Sequence, residues 1–99
     1  MTEDELLEEI TSAADKRGLL WHHCPDSRRC QGRRGQPDLL LVGKDILFVE
    51  LKDEDGETSV DQDMWLWRLH EIGIGYVVWK PGDWCSGRVQ SALDELRWQ

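Results

Sequence analysis

Asp38, Glu50 and Lys52 are the residues of this sequence whose types and spacing suit chemistry. Asp38 follows Gly35-Gln36-Pro37 and opens the apolar run Leu39-Leu40-Leu41-Val42. A Gly43-Lys44-Asp45 turn leads into Ile46-Leu47-Phe48-Val49, and that second run ends in Glu50-Leu51-Lys52. Strand side chains alternate between faces, so Glu50 and Lys52 share one face and Leu51 takes the other. Paired as a hairpin, the runs bring Asp38, at the start of one, beside Glu50 and Lys52, at the end of the other. Carboxylates and an ammonium at one sheet edge can hold a divalent cation next to a phosphate. Phosphodiester hydrolysis needs a nucleophilic water, a stabilised phosphorane charge and a leaving oxygen, and Mg²⁺ or Mn²⁺ on hard oxygen ligands serves these needs. Asp38 and Glu50 would supply carboxylate ligands and the Leu51 carbonyl a backbone ligand. Lys52 would orient or deprotonate the water, since a lysine beside a cation loses its proton more readily.

The elements that must position these residues can be read in outline. Thr2 and Glu5 form a capping-box pattern, and Leu6, Leu7, Ile10, Ala13 and Ala14 then recur at helical spacing up to Gly18. Projected back one turn, that stripe puts Glu3 on the core-facing side, where it could ligate a second metal or position water. Glu5 has a capping job; it and Glu8 stay open as alternatives. Residues 19–23 suit a short strand, and 25–37, rich in Gly, Pro and Arg, an exposed loop. The hairpin strands at 39–42 and 46–52 follow. Ser59 caps a helix over about 60–72, residues 74–79 form a β-rich run closed by Pro81-Gly82, and a last helix spans about 86–97. The order α-β-β-β-α-β-α predicts an α/β fold, one mixed sheet with flanking helices, in a single domain over 1–99.

Composition narrows the function classes. A chain of 99 residues supports one modest core. No apolar run approaches the roughly 20 residues of a membrane span, and the acidic N-terminus lacks a secretory pattern, so a cytoplasmic protein without membrane partners is expected. Cys24, Cys30 and Cys85 are an odd count, which argues against a disulfide framework and for reduced thiols. Net charge is −8, against a simple nucleic-acid coat. Yet Arg28, Arg29, Arg33 and Arg34 cluster just before Asp38, as a phosphate-facing loop beside cation-binding acids would require. The alternative is a solvated loop that balances nearby acids.

The combined pattern resembles a known family. Pro37-Asp38, eleven intervening residues, then Glu50-Leu51-Lys52 has the form of the PD-(D/E)xK nucleases. With Gly35-x-Pro37-Asp38-Leu39, Phe48-x-Glu50-Leu51-Lys52, Gly56, Ser59-x-x-Gln62, Trp65 and Val77-Val78-Trp79-x-Pro81-x-Asp83-Trp84, the chain looks like a stand-alone VRR-NUC domain of the bacteriophage type. The resemblance runs from Thr2-Glu3 through Asp83-Trp84. It implies a restriction-endonuclease-like core, Mg²⁺ or Mn²⁺, and a homodimer that cuts branched DNA such as Holliday junctions, in a phage-encoded or bacterial host setting. Carried over by position, Asp38 and Glu50 are metal ligands, Lys52 the catalytic lysine and Gln62 the helix glutamine, with Glu3 the helix acid. His23 and Asp26-Ser27-Arg28 match a His-x-x-Asp-Ser-Arg stretch, so His23, Ser27 and the arginines at 28, 29, 33 and 34 are candidate DNA contacts. The Cys/Arg-rich loop departs from the pattern, so substrate preference is not carried over. Linear-duplex nicking or restriction-type cleavage, and a non-catalytic junction-binding module, are the rival functions.

His22, His23, Cys24 and Cys30 have ligand types for zinc but lack a paired Cys-x-x-Cys, and adjacent strand histidines point oppositely. Of six tryptophans, Trp21, Trp67 and Trp79 are expected in the core, whereas Trp65, Trp84 or Trp98 could stack on bases or build a dimer interface.

Overall fold

The structure, a computed structural model, describes residues 1–24 and 30–98. Helix α1 (Glu3–Lys16) starts where Thr2 accepts from the Glu5 N–H and the Glu5 carboxylate accepts from the Thr2 N–H. Strands β1 (Leu20–His23), β2 (Leu39–Val42), β3 (Ile46–Leu51) and β4 (Gly75–Trp79) form one sheet in the order β1-β2-β3-β4. The first three strands pair antiparallel, and β4 joins β3 in parallel after the crossover helix α2 (Val60–Glu71). Two helices close the described chain, α3 (Pro81–Cys85) and α4 (Arg88–Leu96).

The sheet register divides strand residues between two faces. Leu39, Leu41, Val49, Leu51 and Trp79 turn to one side and join Leu6, Ile10, Ala14, Val89 and Leu93 in the buried core. Asp38 and Glu50 take the opposite side, with Phe48, Tyr76 and Val78 in the neighbouring rows. Helix α2 packs on that side, principally on β4. At the hairpin turn Gly43 is required for space: a Cβ there would come within 1.9 Å of the Leu96 carbonyl, because the Lys44 N–H donates to that carbonyl. The turn therefore docks on the end of α4 and fixes the hairpin to the core.

Three sequence expectations are corrected. Trp79 is 1% exposed as expected, but Trp21 is 42% and Trp67 59% exposed. Trp21 lies on the edge strand and its indole N–H donates to Asp15 at 2.9 Å. Trp67 falls on the outward side of α2 with Val60 and Met64, one half-turn from the buried Leu69. The second correction is α3, read from the sequence as a turn; Pro81 opens it and Asp83 reaches back to accept from the Lys80 N–H at 2.9 Å. The third concerns the thiols. Cys24 and Cys30 form a disulfide, their Cα atoms 6.5 Å apart, while Cys85 stays free and exposed. An odd count argues against a complete framework, but it leaves room for one short bridge.

Candidate functional site

The strand pairing that fixes the core also assembles the site. Leu39 opposes Val49, so Asp38, one residue earlier, meets Glu50, one residue later. Asp38 Oδ2 accepts from the Leu51 N–H at 2.8 Å, which holds the two strand ends together and aims the other carboxylate oxygen away from the ladder. Leu51 buries its side chain in the core, so the backbone of this segment is anchored from the opposite face.

Glu50 is 2% exposed, an unusual position for a carboxylate. Its Oε1 accepts from the Gln62 amide at 2.5 Å and lies 3.9 Å from the Lys52 ammonium. Its Oε2 is buried and has no hydrogen-bond partner among the described residues. Burial pushes the Glu50 carboxyl up to about 8, and the nearby Asp38 charge pushes the same way, against the pull of Lys52. Gln62 does two jobs. Its carbonyl oxygen accepts from the Ser59 N–H at 2.8 Å and completes the α2 capping box, which leaves its amide N–H free to bind Glu50.

Glu3 projects from the first turn of α1 towards the same place. Burial raises its pKa, and the charges of Asp38 and then Asp53 add to the rise. Among the described residues no three His, Cys, Asp or Glu side chains close into a metal cage. Asp38 and Glu50 are thus a pair, with Glu3 within electrostatic reach. Such a pair suits Mg²⁺ or Mn²⁺, which commonly keep several waters and take one or two carboxylates plus substrate oxygens. The orphaned Oε2 of Glu50 is where such a cation would satisfy a buried acceptor.

A cavity of about 680 Å³ opens beside these groups, with Asp38, Glu50 and Gln62 on one wall and Arg33, Arg34 and the Cys24–Cys30 disulfide on another. Gly35 makes this enclosure possible. It has φ +88°, and a Cβ there would stand 2.4 Å from the Asp61 carbonyl, so the arginine loop presses directly on α2. His23 pairs with Leu39 and therefore takes the face opposite Asp38, outside the residues that line the cavity. Asp26, Ser27, Arg28 and Arg29 lie outside the described residues.

Sequence reasoning missed Tyr76 and Arg68. Tyr76 occupies the Glu50 face, one row away, and its buried hydroxyl has no partner among the described residues. Burial, with the Glu50 and Asp38 charges, pushes the phenol above its ordinary value, so it stays a neutral donor. Arg68 falls one turn beyond Met64 and Trp65 on the flank of α2 beside the arginine loop. The 61, 64, 65, 68 spacing was legible, but nothing in the sequence said that the loop would meet that flank.

The architecture is an α/β class, a mixed four-stranded sheet flanked by helices whose hairpin carries paired acids at its end. More particularly, the chain shares its fold with a solved structure described as a VRR_NUC domain. The match has TM-score 0.60 and 24% sequence identity, over 95% of this chain and 97% of that one. No family model and no curated protein matches the sequence.

Proposed function

We propose that this protein is a divalent-metal-dependent DNA endonuclease, acting as a homodimer on branched DNA. The observation that carries the reading is the convergence of Asp38, buried Glu50, Lys52 and Gln62 at one sheet end, with a buried Glu50 oxygen that lacks a partner among the described residues. The VRR_NUC-type fold supports it. Asp38, Glu50 and the Leu51 carbonyl would hold Mg²⁺ or Mn²⁺, with Glu3 available to a second ion or a water. When bound, the cation supplies positive charge for the developing phosphorane and acidifies its water.

The protein's own groups do the rest. Asp38 is fixed by the Leu51 N–H and Glu50 by the Gln62 amide, so both carboxylates are oriented before substrate arrives. Lys52, part-buried beside Glu50, would orient the attacking water and offset phosphate charge. Arg33 and Arg34 face the cavity from across and would receive the flanking phosphates.

The test is digestion of labelled four-way, flap and linear DNA with Mg²⁺ or Mn²⁺. Cleavage is expected on the branched substrates, and Lys52→Ala should lower the rate by roughly 100-fold or more. Equal activity in the variant, or no cleavage by the wild type with either metal, would sink the catalytic reading. Binding without cleavage would favour a junction-binding module, and equal cutting of linear duplex would replace branched DNA as the substrate.

A further inference from the structure

Beside the carboxylate cavity lies a second recess of about 830 Å³, within the size range of small-ligand sites. Asp61, Met64, Trp65 and Arg68 form its floor along one flank of α2, and Arg33 and Arg34 reach over from the loop. The two recesses share Arg33, Arg34 and Asp61, so a strand lying across one continues into the other. Arg33, Arg34 and Arg68 form no ion pair with any described residue, although the chain carries a net charge of −8. Three unneutralised guanidiniums around an aromatic floor describe a site for an anion attached to a flat ring.

The recess is held in shape without a ligand. The Trp65 indole N–H donates to the Arg34 carbonyl at 2.9 Å, and Gly35 packs on the Asp61 backbone. With its N–H engaged, the indole offers only its apolar ring to the recess, which Met64 also lines. Fully stacked duplex bases hide their π-faces, whereas an unpaired base presents one. The Asp61 carboxylate repels a second phosphate and can accept from a base amino group.

We infer that this recess binds an unpaired nucleotide flanking the scissile phosphate, with its base on Trp65 and Met64 and its phosphate on Arg68 and the loop arginines. The inference rests on the nuclease reading and deepens it, because it makes a single-stranded segment beside the cut part of the recognised substrate.

The test measures binding in EDTA, so that cleavage does not enter. Anisotropy compares a duplex bearing a short single-stranded overhang with a blunt duplex of equal paired length, and 2-aminopurine is placed at successive overhang positions. The wild type should bind the overhang DNA more tightly and quench the probe at one position. Arg68→Ala should weaken overhang binding about tenfold and reduce the slope of log K against log salt by about 0.7, while blunt duplex changes less than about twofold. Trp65→Phe keeps a ring, and should keep most of the quenching that Trp65→Leu loses. Matching melting temperatures for wild type and Arg68→Ala check the fold. Equal losses on both DNAs, no quenching at any position, or no binding to the overhang would overturn the inference. Metal-dependent cleavage without overhang preference would leave the nuclease reading standing and remove this one. Overhang-specific binding and quenching without cleavage would remove the nuclease reading and leave the recess as a single-strand binding site without a scissile phosphate.

Discussion

Burial of Glu50 couples its protonation to folding. An ordinary glutamate releases its proton near 4.5, but in the folded chain burial and Asp38 hold it up to about 8. Below 4.5 both folded and unfolded chains are protonated there, and the folded chain has its full stability from this group. Between 4.5 and about 8 only the folded chain keeps the proton, so folding takes one up and stability falls as pH rises; above 8 the loss is complete. Chemical denaturation in EDTA should show this decline from pH 5 to 8.5. Glu50→Gln keeps an acceptor for the Gln62 amide and removes the titration. It should be more stable than wild type at pH 8.5 by at least the roughly 1.4 kcal/mol that one pKa unit represents, with the difference vanishing at pH 4. A parallel pH profile in the variant would mean that another group is responsible. The cost is a physical one: a carboxylate kept out of water is destabilising while it is charged and unpaired.

At the scale of elements, the hairpin was the most legible part and the orientation of α2 the least. Two apolar runs around Gly43-Lys44-Asp45 fix a pairing register, and register alone brings Asp38 to Glu50. Gln62 entered only as the helix glutamine of the resemblance, and the structure gives its two ends separate partners, the Ser59 N–H and the Glu50 carboxylate. Helix α2, however, has apolar residues nearly all round, so periodicity could not say which side meets the sheet. The choice falls on Gln62, Leu66 and Leu69, and leaves Val60, Met64 and Trp67 outside. Likewise α3 has five residues, too few for a period to emerge, and the disulfide depends on a loop path that composition does not encode. Gly35 links these elements. Its sequence signal was a turn, but its structural role is contact between the arginine loop and the first turn of α2. Gly35→Ala combines a left-handed φ, costing about 1–2 kcal/mol, with a direct clash on the Asp61 carbonyl. We expect a lower melting temperature and weaker DNA binding together. Unchanged melting with unchanged affinity would show that the loop can leave α2 without consequence.

At the scale of the whole molecule, charge and apolar surface point in different directions around the same helix. The flank of α2 towards the loop carries Arg68 beside the loop arginines, whereas its outward side carries Val60, Met64 and Trp67 exposed to solvent. Trp67 also borders a recess of about 580 Å³ with Leu66, His70 and Tyr76, an apolar hollow next to an aromatic knob. A two-fold contact needs one surface to be complementary to itself, and a knob beside a hollow meets that condition. A standard interface takes about 800 Å² from each partner, near a tenth of the 6940 Å² surface of this chain. Pairing through the outward side of α2 would bury its exposed aromatic and give two sites to one branched substrate, which a chain of this size could not otherwise span. Sedimentation equilibrium should therefore give about twice 11.5 kDa, and the melting temperature should rise with protein concentration. Trp67→Glu puts a charge at the centre of that contact, where an aromatic anchor carries much of the binding energy. It should yield a monomer whose melting temperature no longer depends on concentration, because Trp67 contributes little to the core of its own chain. A single-chain mass for the wild type at every concentration would exclude the dimer, and a Trp67→Glu protein that still sediments at twice the chain mass would move the interface elsewhere.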